Sequence, residues 1–125
     1  MKNKIKRVLV TGATGHIGYN ICMAILESKI ELIVLGRQND SNFRQGFSLP
    51  CKYFQWKKPA ESLPPLQAMD VDGIIHLMGE PLDGRRWTEQ RKLELHSSRI
   101  NTTKNMVNAI EGAVGRIKIL VTASA

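Results

Sequence analysis

Thr11-Gly12-Ala13-Thr14-Gly15-His16-Ile17-Gly18 is the stretch on which the reading of this chain turns. It follows directly on Arg7-Val8-Leu9-Val10-Thr11, a run of β-branched and Leu residues with the character of a strand buried on both faces. It opens a segment in which Ile17, Ile21, Ala24 and Ile25 fall on one helical face, ending near Ser28. Glu31-Leu32-Ile33-Val34-Leu35 then repeats the strand character. Strand, glycine turn, helix and strand in this order make a βαβ unit, and so a parallel sheet. In that setting the glycines acquire a chemical sense. Gly12 permits a tight turn, Gly15 lets the backbone approach a pyrophosphate with no Cβ in the way, and Gly18 lets the helix pack close to the sheet. Exposed N–H groups and the positive end of the helix dipole would hold the anion, with Ala13, Thr14, His16 and Ile17 completing the loop. The spacing is G-x-x-G-x-x-G, one residue longer at its first step than the G-x-G form. A glycine-rich turn without a ligand is the competing reading.

Working outward, further strands are expected at Lys52-Tyr53-Phe54-Gln55-Trp56, at Gly73-Ile74-Ile75-His76-Leu77-Met78 and from Ile117 to Ala123. A second helix is expected from Thr88 to Glu111, where Leu93, Ile100, Val107 and Ile110 form an apolar stripe completed by His96 and Thr103. Thr88 can cap its start, Glu89 suits its positive end, and Gly112 can end it in the left-handed conformation. Gln38 to Pro50 is polar and turn-rich, and Pro59 to Pro65 carries three prolines, so both read as loops with at most short helices. The fold class that results is α/β: a Rossmann-type doubly wound parallel sheet of five strands in the order 3-2-1-4-5.

Composition narrows the class of function. In 125 residues, 42% hydrophobic and 23% charged, the balance is that of a folded globular domain. Eighteen Lys and Arg against eleven Asp and Glu leave a net charge of +7, which favours anionic partners. The basic residues are dispersed with no aromatic-interleaved patch, which argues against nucleic acid. Cys22 and Cys51 form no C-x-x-C, so neither a disulfide framework nor a zinc site is expected, and a reducing cytoplasm is the expected home. Lys2, Lys4, Lys6 and Arg7 resemble the basic start of a signal peptide, but the apolar run that follows is cut at once by Thr11, Gly12 and Gly15, so no export or membrane span is expected. The chain stops within its own apolar run at Ile117 to Ala125. Residues 1–125 therefore read as the N-terminal portion of a larger protein, truncated after strand five and lacking its substrate-binding part. Alternatively, strand five is covered by a partner or a second copy.

A second position discriminates between dinucleotides. An Asp or Glu at the end of the second strand, about 20 residues past the glycines, would bond the ribose of NAD. Here the residues are Gly36-Arg37-Gln38. Arg37 can take a 2′-phosphate in a forked contact, which favours NADP over NAD, or it is an ordinary solvated Arg.

The glycine pattern preceded by Thr11 resembles the extended short-chain dehydrogenase/reductase superfamily. Ile75 to Leu82, Arg85 to Lys92 and Ser98 to Thr103 are similar to its atypical YfcH-like sugar-nucleotide epimerase branch, part of the NAD-dependent epimerase/dehydratase family. The resemblance implies a cofactor bed made by Gly12 to Ile17, Arg37, and Leu77, Met78 and Gly79 after strand four. It implies a catalytic Ser124 polarising the substrate oxygen, with Glu80, Arg86 and Trp87 rimming the substrate side. Trp87 reads equally as a packing anchor, and Ser124 as an ordinary hydroxyl at a strand end. The chain departs from the family pattern at Arg99, where an Asn is usual, and in having Gln55-Trp56 where an acid often follows strand three. Tyr53 and Lys57 have the spacing of the family's reactive Tyr/Lys pair but fall in or beside a strand, where four residues span roughly 13 Å rather than one helical turn. His16, His76 and His96 share no metal-ligand spacing, so each is expected to have a local partner and no metal is expected.

Two functions compete. The first is the NADP-binding part of an epimerase-like oxidoreductase or isomerase that uses the nicotinamide for hydride transfer, with a nucleotide-sugar as partner and no turnover by this portion alone. The second is a module that senses NADPH or a nucleotide without turnover, a reading favoured by Arg99 and the lack of a usable Tyr/Lys pair.

Overall fold

A computed structural model describes residues 5–77, 89–113 and 116–122. Five strands, β1 (Arg7–Thr11), β2 (Glu31–Gly36), β3 (Lys52–Gln55), β4 (Gly73–His76) and β5 (Ile119–Thr122), form one sheet in the order β3-β2-β1-β4-β5. Every neighbouring pair is parallel. Helices α1 (His16–Glu27), α2 (Asp40–Gly46) and α3 (Glu89–Gly112) make the crossovers, with a 3-10 turn at Leu66–Met69 before β4. This is the Rossmann-type doubly wound sheet expected.

Alternation along the central strands sorts the core into two layers. Leu9, Ile33, Leu35 and Ile74 pack with Trp56, Met69, Met106 and Ala109 on the α3 side. Val8, Val10, Leu32 and Val34 pack with Cys22, Ile25, Phe43 and Phe47 on the α1 and α2 side. Buried on both faces, β1 and β2 are the continuous apolar runs of the sequence. Edge strand β5 instead leaves Ile119 and Val121 exposed, while Leu120 packs against the α3-side core.

Several local expectations are corrected. In α1 the buried positions are Gly18, Cys22 and Ile25, whereas Ile17 and Ala24 are exposed. In α3 the face against the sheet is Thr102, Met106 and Ala109, with Ile110 partly buried, and Leu93, Ile100 and Val107 point outward. Small and flexible side chains let that helix approach closely, a preference the apolar stripe does not reveal. Gly112 lies within α3 and is not left-handed; the left-handed cap belongs to Lys29, at φ 62°, after α1. There the Lys29 N–H reaches the Leu26 carbonyl and the Ile30 N–H the Ile25 carbonyl, a Schellman ending without glycine. The turn-rich stretch after β2 contains α2, capped by the Asn39 side chain, which accepts from the Asn42 N–H. Thr88 lies outside the described residues, as does the His96 side chain.

Candidate functional site

The sheet order reverses between β1 and β4, because the chain leaves β1 toward β2 over one face and β4 toward β5 over the other. The carboxyl ends of these two neighbours therefore border the switch point, the position where open α/β sheets bind ligands.

The glycine turn forms one wall. Gly12 adopts φ 75°, and a Cβ there would also press on Leu77, meeting its Cβ and its backbone carbon and oxygen at 3.1 Å. The Gly15 N–H closes the turn on the Gly12 carbonyl at 3.2 Å. Gly18, one turn into α1, lies so close that a Cβ would collide with that same carbonyl. The helix is thus docked against the end of β1 as the motif implies. Gly15 is the N-cap of α1 and brings no side-chain acceptor, and the first turn holds no acid. Among the described residues the leading amides of this 12-residue helix have no side-chain cap, and they align with the positive end of its dipole, a setting that suits an anion. Thr14, Gly15, His16 and Ile17 are exposed around this spot, whereas Ala13 turns its side chain into the core and offers only backbone.

The opposite wall is tied to the first through Thr11. Its buried hydroxyl accepts the Leu77 N–H at 2.9 Å and lies 2.9 Å from His76 Nδ1. Residues 65 and 66 positions apart are thereby clamped at the switch point. His76 is 3% exposed, its ring tilted beside Trp56, and burial pulls its pKa down to about 4. Neutral imidazole fills this place at physiological pH. Its Nε2 has no hydrogen-bond partner among the described residues. The expected local partner of His76 is thus Thr11; that Thr11 joins the two walls was not read from the sequence, where its only signal is a hydroxyl at the last position of a buried strand.

Arg37 stands immediately after β2, next to β1 in the sheet and on the same carboxyl side as the glycine turn. The structure therefore brings together Gly12 to Ile17, Arg37 and Leu77. Met78, Gly79, Glu80, Arg86, Trp87 and Ser124 lie outside the described residues. Tyr53 belongs to β3 and Lys57 lies exposed beyond it, so the two share no helical face. Among the described residues no cluster of three or more His, Cys, Asp or Glu could hold a metal ion, both cysteines are free thiols, and no helix is long and apolar enough to cross a membrane.

A doubly wound parallel sheet with a glycine turn at its switch point defines a Rossmann-type nucleotide-binding class. Within that class, the chain belongs to the NAD dependent epimerase/dehydratase family, whose defining pattern matches residues 8–125. An epimerase family protein of Staphylococcus saprophyticus is 30% identical over 123 residues, which is 97% of this chain and 38% of that protein. The chain thus spans little more than a third of the length of this relative. Among solved structures, Gre2 from Candida albicans in complex with NADPH superposes with a TM-score of 0.76 at 22% identity, covering 96% of this chain and 37% of that one. UDP-N-acetylglucosamine 4-epimerase from Bacillus cereus gives 0.67 at 24% identity, covering 95% and 38%. At these identities the structural likeness is one of fold.

Proposed function

We propose that this chain is the NADP-binding Rossmann domain of an epimerase-like oxidoreductase or isomerase, residues 1–125 forming its N-terminal, cofactor-holding portion. The observation that carries the reading is the glycine turn at the switch point, where the uncapped, acid-free start of α1 offers backbone donors beside Gly12 and Gly15. These residues fit a pyrophosphate. Arg37 takes the 2′-phosphate as a forked donor, and Leu77, with Met78 and Gly79 that follow it in the sequence, serves the dinucleotide. When bound, the nicotinamide supplies reversible hydride transfer. By the family resemblance, Ser124 helps polarise the substrate oxygen, and Glu80, Arg86 and Trp87 serve a nucleotide-sugar substrate. The family membership, the NADPH-bound relative in fold and the nucleotide-sugar epimerase all support this reading. A cytoplasmic setting goes with it.

Fluorescence titration with NADPH and NADH tests the proposal. Saturable binding of both is expected, NADPH tighter by about tenfold or more from the added charge-assisted contact. In Arg37→Asp, NADPH affinity falls and NADH affinity holds or rises. No saturable binding of either dinucleotide would overturn the reading, and an unchanged ratio in the variant would remove the role given to Arg37. The second reading, ligand sensing without turnover, draws on Tyr53: it sits on a strand, its phenol pushed up to about 12 by burial and by Asp40. Turnover of a nucleotide-sugar by the full-length relative carrying this domain's residues would exclude it.

A further inference from the structure

Three successive carbonyls at the exit of β2 are met by three donors from β3 and the residue after it, taken in reverse order along the chain. The Trp56 N–H donates to the Gly36 carbonyl at 2.7 Å, Gln55 Nε2 to the Arg37 carbonyl at 2.9 Å, and the Tyr53 hydroxyl to the Gln38 carbonyl at 2.6 Å. Only the first is a backbone bond of the kind a parallel sheet supplies. The other two come from side chains two apart on β3, and so on one face of that strand. A chain leaving a strand ordinarily turns its carbonyls to water. Here the carbonyls of the residue assigned to cofactor choice and of its neighbour are held by protein donors instead.

The brace is itself anchored. The Tyr53 ring stacks on Phe43 of α2 at 3.9 Å between centroids and 12° between planes, and Phe43 stacks on Phe47 at 4.7 Å. Both phenylalanines are buried in the core. A Cβ on Gly36 would lie 2.8 Å from the Tyr53 hydroxyl oxygen and 3.3 Å from Cε1, so the glycine leaves room for the phenol to cross the end of β2. At the other end of the segment Asn39 caps α2. Arg37 is therefore suspended between two fixed points, and burial keeps the Tyr53 phenol protonated, and so a donor, throughout the physiological range.

We propose that Tyr53 and Gln55 are positioning residues for cofactor choice: by fixing the carbonyls of Gln38 and Arg37 they set the backbone from which the Arg37 side chain reaches the 2′-phosphate of NADP. The inference rests on the reading of Arg37 given above. Its physical basis is preorganisation, since a guanidinium projecting from a fixed backbone loses less freedom when it binds. It also gives Gln55 a task at the position where the family often carries an acid.

The experiment measures dissociation constants for NADPH and NADH on the chain and on Tyr53→Phe, Gln55→Met and Arg37→Asp, with thermal unfolding of each. Tyr53→Phe keeps the stack on Phe43 and Gln55→Met keeps side-chain length, so each removes one donor and little else. Each is expected to weaken NADPH binding about fivefold, the worth of one neutral hydrogen bond, and to leave NADH binding unchanged. Equal weakening of NADPH and NADH would overturn the proposal, because a merely structural role moves both. An unchanged NADPH constant in both brace variants, with the ratio still shifted in Arg37→Asp, would overturn the brace and leave Arg37 its role. An unchanged ratio in Arg37→Asp would overturn the reading beneath it.

Discussion

The two ends of the sheet are built on opposite plans. At the amino end, polar groups answer one another. The buried Asp72 carboxylate accepts the Lys6 and Arg7 N–H groups at 2.8 and 2.9 Å and pairs with Arg116 Nε at 3.0 Å. Arg116 also binds Asp70, Arg7 bridges Asp70 and Glu31, and Lys52 approaches Glu31. At the carboxyl end the uncapped amides of α1, the exposed turn from Thr14 to Ile17 and the orphaned Nε2 of His76 have no such mutual satisfaction among the described residues. One end closes its electrostatics internally and holds β1, β4 and the approach to β5 together. At the other, the α1 amides have no side-chain cap and the turn beside them is exposed. Substitutions at the amino end should therefore move stability and leave binding alone, and those at the carboxyl rim should do the reverse.

The largest effect is expected at the amino end. Asp72→Ala leaves two backbone donors without their acceptor and Arg116, itself partly exposed, with Asp70 as its remaining partner, at a cost of about 3 kcal/mol, chiefly from the unsatisfied amides. Urea denaturation should show it, while the dissociation constant for NADPH, measured where the variant is folded, stays within twofold. A large loss of affinity at intact fold would erase the distinction between the ends.

Acid separates the two ends by pH. His76 titrates near 4 in the native chain and at the ordinary 6.5 when unfolded. Between these values the unfolded chain holds the extra proton, so the contribution is fully present above 6.5 and is lost as pH falls toward 4. From pH 7 to 5 the loss should be about 2 kcal/mol. Asp72 is held well below the usual carboxylate range, first by the Arg116 guanidinium and then by the Lys6 and Arg7 amides. Its contribution is present above 3.8 and goes only as pH drops below that value, so the amino end fails later. Denaturation at pH 7 and 5 checks this: His76→Gln should flatten that interval. The same loss in the variant would place the titrating group elsewhere.

Legibility in the sequence follows a similar division. Runs such as Val8-Leu9-Val10 and Leu32-Ile33-Val34 identify strands buried on both faces, and the glycines between them identify the turn, because local composition and short-range sterics dictate both. Strand order followed from connection rules. Which face of a helix meets the sheet did not, since Leu93, Ile100 and Val107 are as apolar as a core stripe, yet Thr102, Met106 and Ala109 fit closer. The α1 ending was obscured because Lys29 takes the left-handed place usually given to glycine. At the site, Gly12, Gly15 and Gly18 were readable from their spacing. The Thr11 clamp and the brace around Arg37 join residues from 15 to 66 positions apart, and no local pattern encodes such pairs.

The smallest expected change in stability lies at Ile17, and it gives the sharpest test of the contrast between the ends. An Ile in the first turn of a helix would ordinarily be taken for core, and replacing a buried one by a polar residue costs about 3 kcal/mol or more. Here Ile17 is 68% exposed, beside the turn that offers its amides outward. Ile17→Gln should therefore shift folding stability by no more than about 0.5 kcal/mol. Ile17 belongs to the proposed cofactor bed, so the same variant should weaken NADPH and NADH alike, by about threefold, through lost contact with a bound dinucleotide. Parallel denaturation and titration check both halves. A drop in stability with unchanged affinity would show that Ile17 packs against protein and that the carboxyl end is closed more like the amino end than its exposure indicates.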